Sequence, residues 1–136
     1  MAEQENVKKV QDMYAAFSRG DIAMVLANVS SDVTWGTDTS AQEVPWYPIR
    51  KGPDGVGDFF ATLAREVEFT HFEPTLYTAS GNEVIVHVEL EYKLKRNGQS
   101  AAVGSIHQMS LRDTIVTRFR SFEDTASVRD AWLSGT

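Results

Sequence analysis

The chain has 136 residues, of which 42% are hydrophobic and 24% charged, and its net charge is −6, as expected of one ordinary globular domain with room for an internal pocket. No apolar run approaches the roughly 20 residues of a membrane span, and the acidic balance lacks the footprint of a nucleic-acid or membrane-surface binder. Cysteine is absent, which excludes disulfides, thiolate metal sites and cysteine nucleophiles. Taken together, these features lead us to expect a cytoplasmic domain.

The beginning of the chain has the period of amphipathic helices. Apolar residues recur at three- and four-residue steps from Val7 to Phe17, and Gly20 ends this first helix. Asp21 is placed to cap a shorter second helix. The tight Gly-Asp turn between the two helices predicts that they pack as a hairpin.

A short strand is predicted at residues 33–35, and residues 36–51 form a long irregular stretch. Its glycine, threonine, serine and two prolines predict a loop, and long loops in compact domains often cover or line a binding site. The loop carries Trp46 and Tyr47, which either fold onto the edge of the core or line a pocket. Gly52-Pro53-Asp54 then begins a third helix with an apolar stripe.

In the second half of the chain the apolar period changes to two, which predicts β-strands. Alternation over residues 84–91 indicates a half-buried strand, and Asn97-Gly98 predicts a hairpin to the next strand, residues 101–111. A last strand, residues 115–122, precedes a terminal helix capped at Asp124. Helices gathered on one side of a curved antiparallel sheet make an α+β fold with a cavity inside.

The chain carries YAAFSRGD at residues 14–21, DVTW at 32–35 and GPDGVGDFF at 52–60, and it ends its last strand with FRSFED at 119–124. These segments and the order of the elements resemble the SnoaL-like branch of the NTF2-like superfamily. The resemblance implies a single domain over residues 1–136, in which a curved antiparallel sheet forms a cone around three main helices and encloses a pocket. It also implies a homodimer formed through the outer face of the sheet.

The same resemblance implies a small hydrophobic or aromatic ligand and no cofactor. Members of the superfamily include polyketide cyclases and ketosteroid isomerases, which would make this chain a cofactor-independent enzyme that removes a proton next to a carbonyl. The alternative is a binding module that holds the ligand without changing it. The three catalytic positions of the steroid isomerases fall on Met13, Thr37 and His107, and none keeps the isomerase residue. The cyclases instead pair a pocket aspartate with a histidine.

Three residues are predicted to be catalytic. His107 lies on the pocket side of its strand in the family alignment, and imidazole transfers protons near neutral pH, although a buried structural histidine would look the same in sequence. Either Asp38 or Asp124 would supply the carboxylate, unless Asp38 is only a surface or turn residue and Asp124 only caps the last helix. Arg118 is turned inward by the same alignment and would bind an enolate or carboxylate oxygen, unless it pairs with acidic side chains. The predicted ligand-binding residues are Tyr14, Trp35, Trp46, Phe59, Arg120 and Phe122.

The histidines His71, His87 and His107 show no metal-ligand spacing, so no metal site is expected. The outer face of the sheet is expected to be mixed in polarity and to form the dimer interface. The residues predicted on that face are Ile85, His87, Glu89, Ile106 and Phe119.

Overall fold

The computed structural model describes residues 2–135. Four helices lie in this range: α1 (Ala2–Ser18), α2 (Ile22–Leu26), α3 (Gly52–Glu66) and α4 (Thr125–Leu133). Six strands lie in it as well: β1 (Val29–Gly36), β2 (Arg50–Lys51), β3 (Val67–Ser80), β4 (Glu83–Leu94), β5 (Ser100–Arg112) and β6 (Ile115–Phe122). The strands form one sheet in the order β2-β1-β6-β5-β4-β3. Within residues 2–135, no helix is both long and apolar enough to cross a membrane.

Short acidic side chains begin two of the helices, as the sequence predicts. The carboxylate of Asp21 accepts a hydrogen bond from the Met24 backbone N–H at 3.2 Å and caps α2. The carboxylate of Asp124 accepts one from the Ser127 N–H at 3.1 Å and caps α4. Each cap satisfies a backbone donor that the helix leaves unpaired, a contribution of about 1 kcal/mol. Gly20 makes the turn between α1 and α2 at a φ of +77°, a conformation that glycine adopts without strain.

The predicted α+β architecture is confirmed, with two differences in the strands. β1 runs over Val29–Gly36 rather than residues 33–35, and it pairs with β6 in parallel, whereas the other neighbouring strands are antiparallel. β3 begins at Val67 and continues through Pro74. Proline is tolerated there because β3 is an edge strand, so the missing N–H removes no bond to a second neighbour.

The core lies between the helices and the inner face of the sheet. Val84, Val86 and Val88 of β4 are fully buried on that face, while the two residues between them are half-buried on the outer face. Val10 of α1 and Val56 of α3 are fully buried on the helical side. Burial of each such side chain stabilises the fold by about 1.5–3 kcal/mol, and this packing fixes the frame that surrounds the cavity.

A β-bulge in β6 changes which of its residues face the core. Ser110 pairs with Arg118 but the next residue of β5, Leu111, pairs with Val116, so β6 holds one extra residue at this point. Because side chains alternate between faces, one extra residue reverses the alternation that follows it. Phe119 is therefore buried at 5% exposure, and Phe122 is 49% exposed. The prediction that Phe119 lies on the outer face was wrong. The prediction that Arg118, Arg120 and Phe122 face the core was wrong for the same reason.

Candidate functional site

A cavity of about 100 Å³ lies between the inner face of the sheet, helices α1 to α3 and the loop of residues 37–49. Its wall is largely aromatic. The aromatic side chains that line it are Tyr14, Phe17, Trp35, Trp46, Tyr47, Phe59, Phe60, Phe69, Phe72, Tyr92 and Phe119. Neighbouring rings pack on one another, as in the stacked pair of Trp35 and Phe119 with ring centroids 4.3 Å apart. Such a wall suits a flat, apolar ring.

Tyr14 and His107 form a buried polar pair at the cavity wall. The Tyr14 hydroxyl of α1 lies 2.6 Å from Nδ1 of His107 on β5, and the two rings are nearly parallel. Burial lowers the pKa of His107 to about 3 and raises the pKa of Tyr14 well above its usual value, so both groups are neutral near pH 7. A phenol O–H is a stronger donor than a neutral imidazole N–H. We therefore assign Tyr14 as the donor, which leaves the imidazole proton on Nε2.

Glu123, directly after β6, brings a carboxylate to the cavity. One of its oxygens accepts a hydrogen bond from the Tyr47 hydroxyl at 2.7 Å, and the other accepts one from the Ser105 hydroxyl at 2.9 Å. Burial, with the nearby negative charge of Glu123, raises the pKa values of Tyr47 and Tyr92. Among the cavity-lining residues that the structure describes, Glu123 is the one with a carboxylate side chain, and none is a lysine or an arginine.

Two further hydroxyls of the lining, those of Thr37 and Ser121, bond to each other at 2.5 Å. Two polar atoms of the lining side chains stay without a hydrogen-bond partner within residues 2–135: the Trp35 indole N–H and the Tyr92 hydroxyl. Trp35 is 3% exposed and Tyr92 is 4% exposed. A buried polar group without a partner costs about 1–3 kcal/mol, so both atoms favour a ligand that offers them a hydrogen bond.

Five of the residues predicted from sequence line this cavity. They are Tyr14, Trp35, Trp46, Phe59 and His107. Their apolar or uncharged side chains come from α1, β1, the long loop, α3 and β5, so the fold brings together residues distant in the chain.

The other four predicted site residues lie elsewhere. Asp38 and Arg118 are exposed, and Phe122 is half exposed on the outer face. Arg120 is half-buried outside the cavity, where its guanidinium donates to the Phe119 carbonyl and the Thr34 hydroxyl. The bulge in β6 explains three of these positions, because it turns the even-numbered residues of that strand away from the core.

The site residues predicted from sequence omit five polar residues of the lining, which are Thr37, Tyr47, Tyr92, Ser121 and Glu123. Tyr92 follows Leu90 by two residues, so continued alternation along β4 would have placed it inside. Glu123 follows Phe119 by four residues and would have been found had the bulge been recognised. Tyr47 lies in a loop without periodicity, so no pattern in the sequence identifies its direction.

A separate cluster lies on the outer face of the sheet. His71, Glu73 and Glu89 bring atoms able to bind a metal within 4.8 Å of one another. Spacing between histidines alone did not reveal this cluster, because two of its members are glutamates on adjacent strands that become neighbours in the sheet. The sheet separates the cluster from the cavity.

Comparison with known proteins identifies a family that the sequence matches and solved structures with the same fold. The model of the SnoaL-like domain family matches residues 10–119. No curated protein matches the chain. An NTF2-like protein from Burkholderia xenovorans LB400 is 26% identical, with a TM-score of 0.85 over 95% of this chain and 96% of that one.

Two other solved structures are less similar in sequence and show the fold alone. TerC, co-crystallised with polyporic acid, is 23% identical, with a TM-score of 0.82 over 93% of this chain and 97% of its own. A protein from Rhodopseudomonas palustris, provisionally named an isomerase, is 13% identical, with a TM-score of 0.76 over 98% of both chains.

Proposed function

The chain belongs to the SnoaL-like domain family, and from that premise we propose that it binds a compact, ring-shaped organic molecule in the aromatic cavity. The observation that carries the proposal is the cavity wall, which consists mainly of aromatic side chains and holds two buried polar atoms without partners. Apolar walls with a few placed polar groups are the usual form of small-molecule sites.

The size of the cavity sets the size of the ligand. An engineered apolar cavity of about 150 Å³ binds benzene, so a cavity of about 100 Å³ suits a single ring with small adjustments of the wall. A multi-ring polyketide would require a larger movement of the surrounding elements. We therefore assign the ligand to single-ring compounds.

The state of the polar groups favours binding over catalysis. The Glu123 carboxylate already accepts two hydrogen bonds, and the Tyr14 hydroxyl is engaged with His107. With a pKa of about 3, His107 does not hold a proton near pH 7 and is a weak base. The described lining also contains no arginine that could stabilise an enolate.

One observation favours a second candidate, proton transfer next to a carbonyl. His107 pairs with Ser121 across β5 and β6, and Glu123 lies two residues further on, so imidazole and carboxylate are diagonal neighbours of one cavity. Glu123 would take the proton from the carbon next to the carbonyl, and the electron pair of that C–H bond would move into an enolate. The Nε2–H of neutral His107 would donate to the enolate oxygen, and the proton would then return to carbon.

One experiment separates the two candidates. Benzyl alcohol and 2-cyclohexenone are titrated while the tryptophan fluorescence, to which Trp35 and Trp46 of the lining contribute, is followed. Exchange of the ketone's α-protons in D₂O is followed by proton NMR. We expect both rings to bind and exchange to stay at the buffer rate. Val25→Phe, which fills the cavity from α2, should weaken binding at least tenfold, whereas Val7→Phe adds the same bulk outside the lining and should not.

Two other results of this experiment would change the conclusion. Exchange faster than in buffer, and lost in Glu123→Gln, would establish proton transfer in place of simple binding. Failure of both rings to bind at millimolar concentration would overturn the proposal.

A further inference from the structure

The cavity lining has an acidic side chain without a basic side chain to balance its charge, and the proposed function does not account for it. Glu123 carries a negative charge, and no lysine or arginine is among the described residues of the lining. The salt bridges formed within residues 2–135 do not include Glu123 either. Its partners, Tyr47 and Ser105, are neutral hydroxyls that donate to the carboxylate but do not balance its charge. A charge that is taken partly out of water is best stabilised by an opposite charge.

The surroundings of Glu123 suit a cation. Trp46 lies edge-to-face against both Tyr47 and Tyr92, with ring centroids 6.0 and 6.1 Å apart. These three rings lie together at one end of the cavity, where the Tyr47 hydroxyl donates to Glu123. A cation placed over the face of an aromatic ring is attracted to it, most strongly with tryptophan.

A second observation at this end also points to a ligand. The Tyr92 hydroxyl is buried and makes no hydrogen bond within residues 2–135. Tyr92 packs against Trp46, which also packs against Tyr47, the residue that donates to Glu123, so the hydroxyl and the carboxylate belong to the same end of the cavity. An N–H group near both could donate to the Glu123 carboxylate and to the Tyr92 oxygen together.

Resting on the proposed function, we infer that the ligand of this cavity is a protonated amine carried on a single ring. Its ammonium group lies between the Glu123 carboxylate and the Tyr92 hydroxyl, and its ring packs against the aromatic wall. A carboxylate ligand of the same shape would place a second negative charge beside Glu123 and is rejected. The site therefore selects its ligand by charge as well as by size.

Three probes of nearly the same shape test this selectivity. Benzylammonium, benzyl alcohol and benzoate are each titrated by calorimetry at pH 7 and 0.15 M salt, where an alkylamine is protonated and distant surface charges are screened. We expect benzylammonium to bind at least tenfold more tightly than benzoate, with benzyl alcohol between them.

Two variants and one matched control assign the effect to its residues. In Glu123→Gln the three affinities should converge to within threefold. Glu89→Gln makes the same change at an exposed position of the outer face and should keep the wild-type ranking. Tyr92→Phe removes only an unpartnered hydroxyl, so it should fold, and it should weaken benzylammonium at least threefold while leaving benzoate unchanged.

The outcomes separate this inference from the proposed function. If all three probes bind equally, or benzoate binds most tightly, the charge selectivity is wrong and the ring-binding function stands. If Glu123→Gln folds and keeps the ranking, Glu123 is not the counterion. If Glu123→Gln does not fold, the inference is tested by the wild-type ranking and by Tyr92→Phe. It stands if benzylammonium binds most tightly to the wild type and Tyr92→Phe weakens that binding, and it is wrong otherwise. If none of the probes binds, the proposed function falls together with the inference.

Discussion

Tyr14 and His107 show how an apolar cavity keeps polar atoms in its wall. Their hydrogen bond joins α1 to β5 across 93 positions of the chain, and both side chains are buried. Such a bond contributes only about 1 kcal/mol, but removal of one partner leaves the other buried and unsatisfied at a cost of about 1–3 kcal/mol. The pair therefore fixes the position of α1 over the sheet and holds the imidazole in one orientation.

The depressed pKa of His107 predicts a pH dependence of stability. The unfolded chain binds a proton at this histidine below about pH 6.5, whereas the folded chain does so only near pH 3. The contribution is fully present above pH 6.5 and is lost as the pH falls toward 3. Between pH 7.0 and 5.5 the free energy of unfolding, measured with urea, should fall by about 1 kcal/mol through this residue.

Two substitutions test that assignment at the same two pH values. His107→Gln cannot titrate and should lose this part of the pH dependence. His87→Gln, at a half-buried histidine that bonds to Thr75 on the outer side of the sheet, should keep it. An equal fall in wild type and His107→Gln would show that other groups cause the dependence.

The loop of residues 37–49 is the element that places two aromatic side chains on the cavity. Arg50 holds it, because its guanidinium donates to the carbonyls of Pro45 and Pro48 and to the carboxylate of Asp58 in α3. The loop also lies directly against Gly36 at the end of β1. A Cβ at Gly36 would lie 2.7 Å from the Ile49 Cα and 2.9 Å from the Pro48 carbonyl oxygen.

Gly36→Ala should therefore displace the loop. Overpacking against backbone costs about 1–3 kcal/mol, and the shift of Trp46 and Tyr47 should weaken ring binding. Gly57→Ala is the matched control, since its Cβ would meet only a Leu26 methyl at 3.8 Å and alanine is favoured within a helix. Thermal unfolding should show a lower midpoint for the first variant and an equal or higher one for the second. Equal midpoints for Gly36→Ala and wild type would contradict this view of the loop.

The elements differ in how well their sequences define them. Helices and strands with a regular period, such as the strand from Val84 to Leu90, were predictable because burial on one face imposes that period. The directions of the Arg118 and Phe119 side chains were not predictable, because both faces of β6 carry residues that could be buried. One extra residue in the strand then reverses which of these side chains face the core. Trp46 and Tyr47 depend on contacts between distant segments, which local patterns do not encode.

At the scale of the whole molecule, the outer face of the sheet carries a row of large side chains that are apolar except for one histidine. Leu76, His87, Ile106 and Phe122 are successive cross-strand neighbours on β3 to β6. Leu76 is 62% exposed and Phe122 49% exposed. Large apolar side chains in such a contiguous arrangement often mark an interface.

Charges of opposite sign flank this row. Glu73 and Glu89 are directly opposed on one side, and like charges in that position repel. Arg118 and Arg120 lie on the other side of the row. A two-fold axis along the row would bring the acids of one copy to the same side of the row as the arginines of the other, which favours association of the face with a second copy of itself.

We therefore expect a homodimer through this face, as the family resemblance implies. Light scattering after gel filtration should give twice the 15.2 kDa of one chain. Phe122→Asp replaces the large apolar side chain at the β6 end of the row with a charge and should raise the dimer dissociation constant at least a hundredfold, because the interface would have to bury that charge. Leu133→Asp makes the same kind of change at a 41% exposed residue at the end of α4, which is not part of the row, and should leave the mass unchanged. A wild-type mass of 15.2 kDa at high protein concentration would show that the row serves another purpose, and a dimer that survives Phe122→Asp would place the interface on a different face.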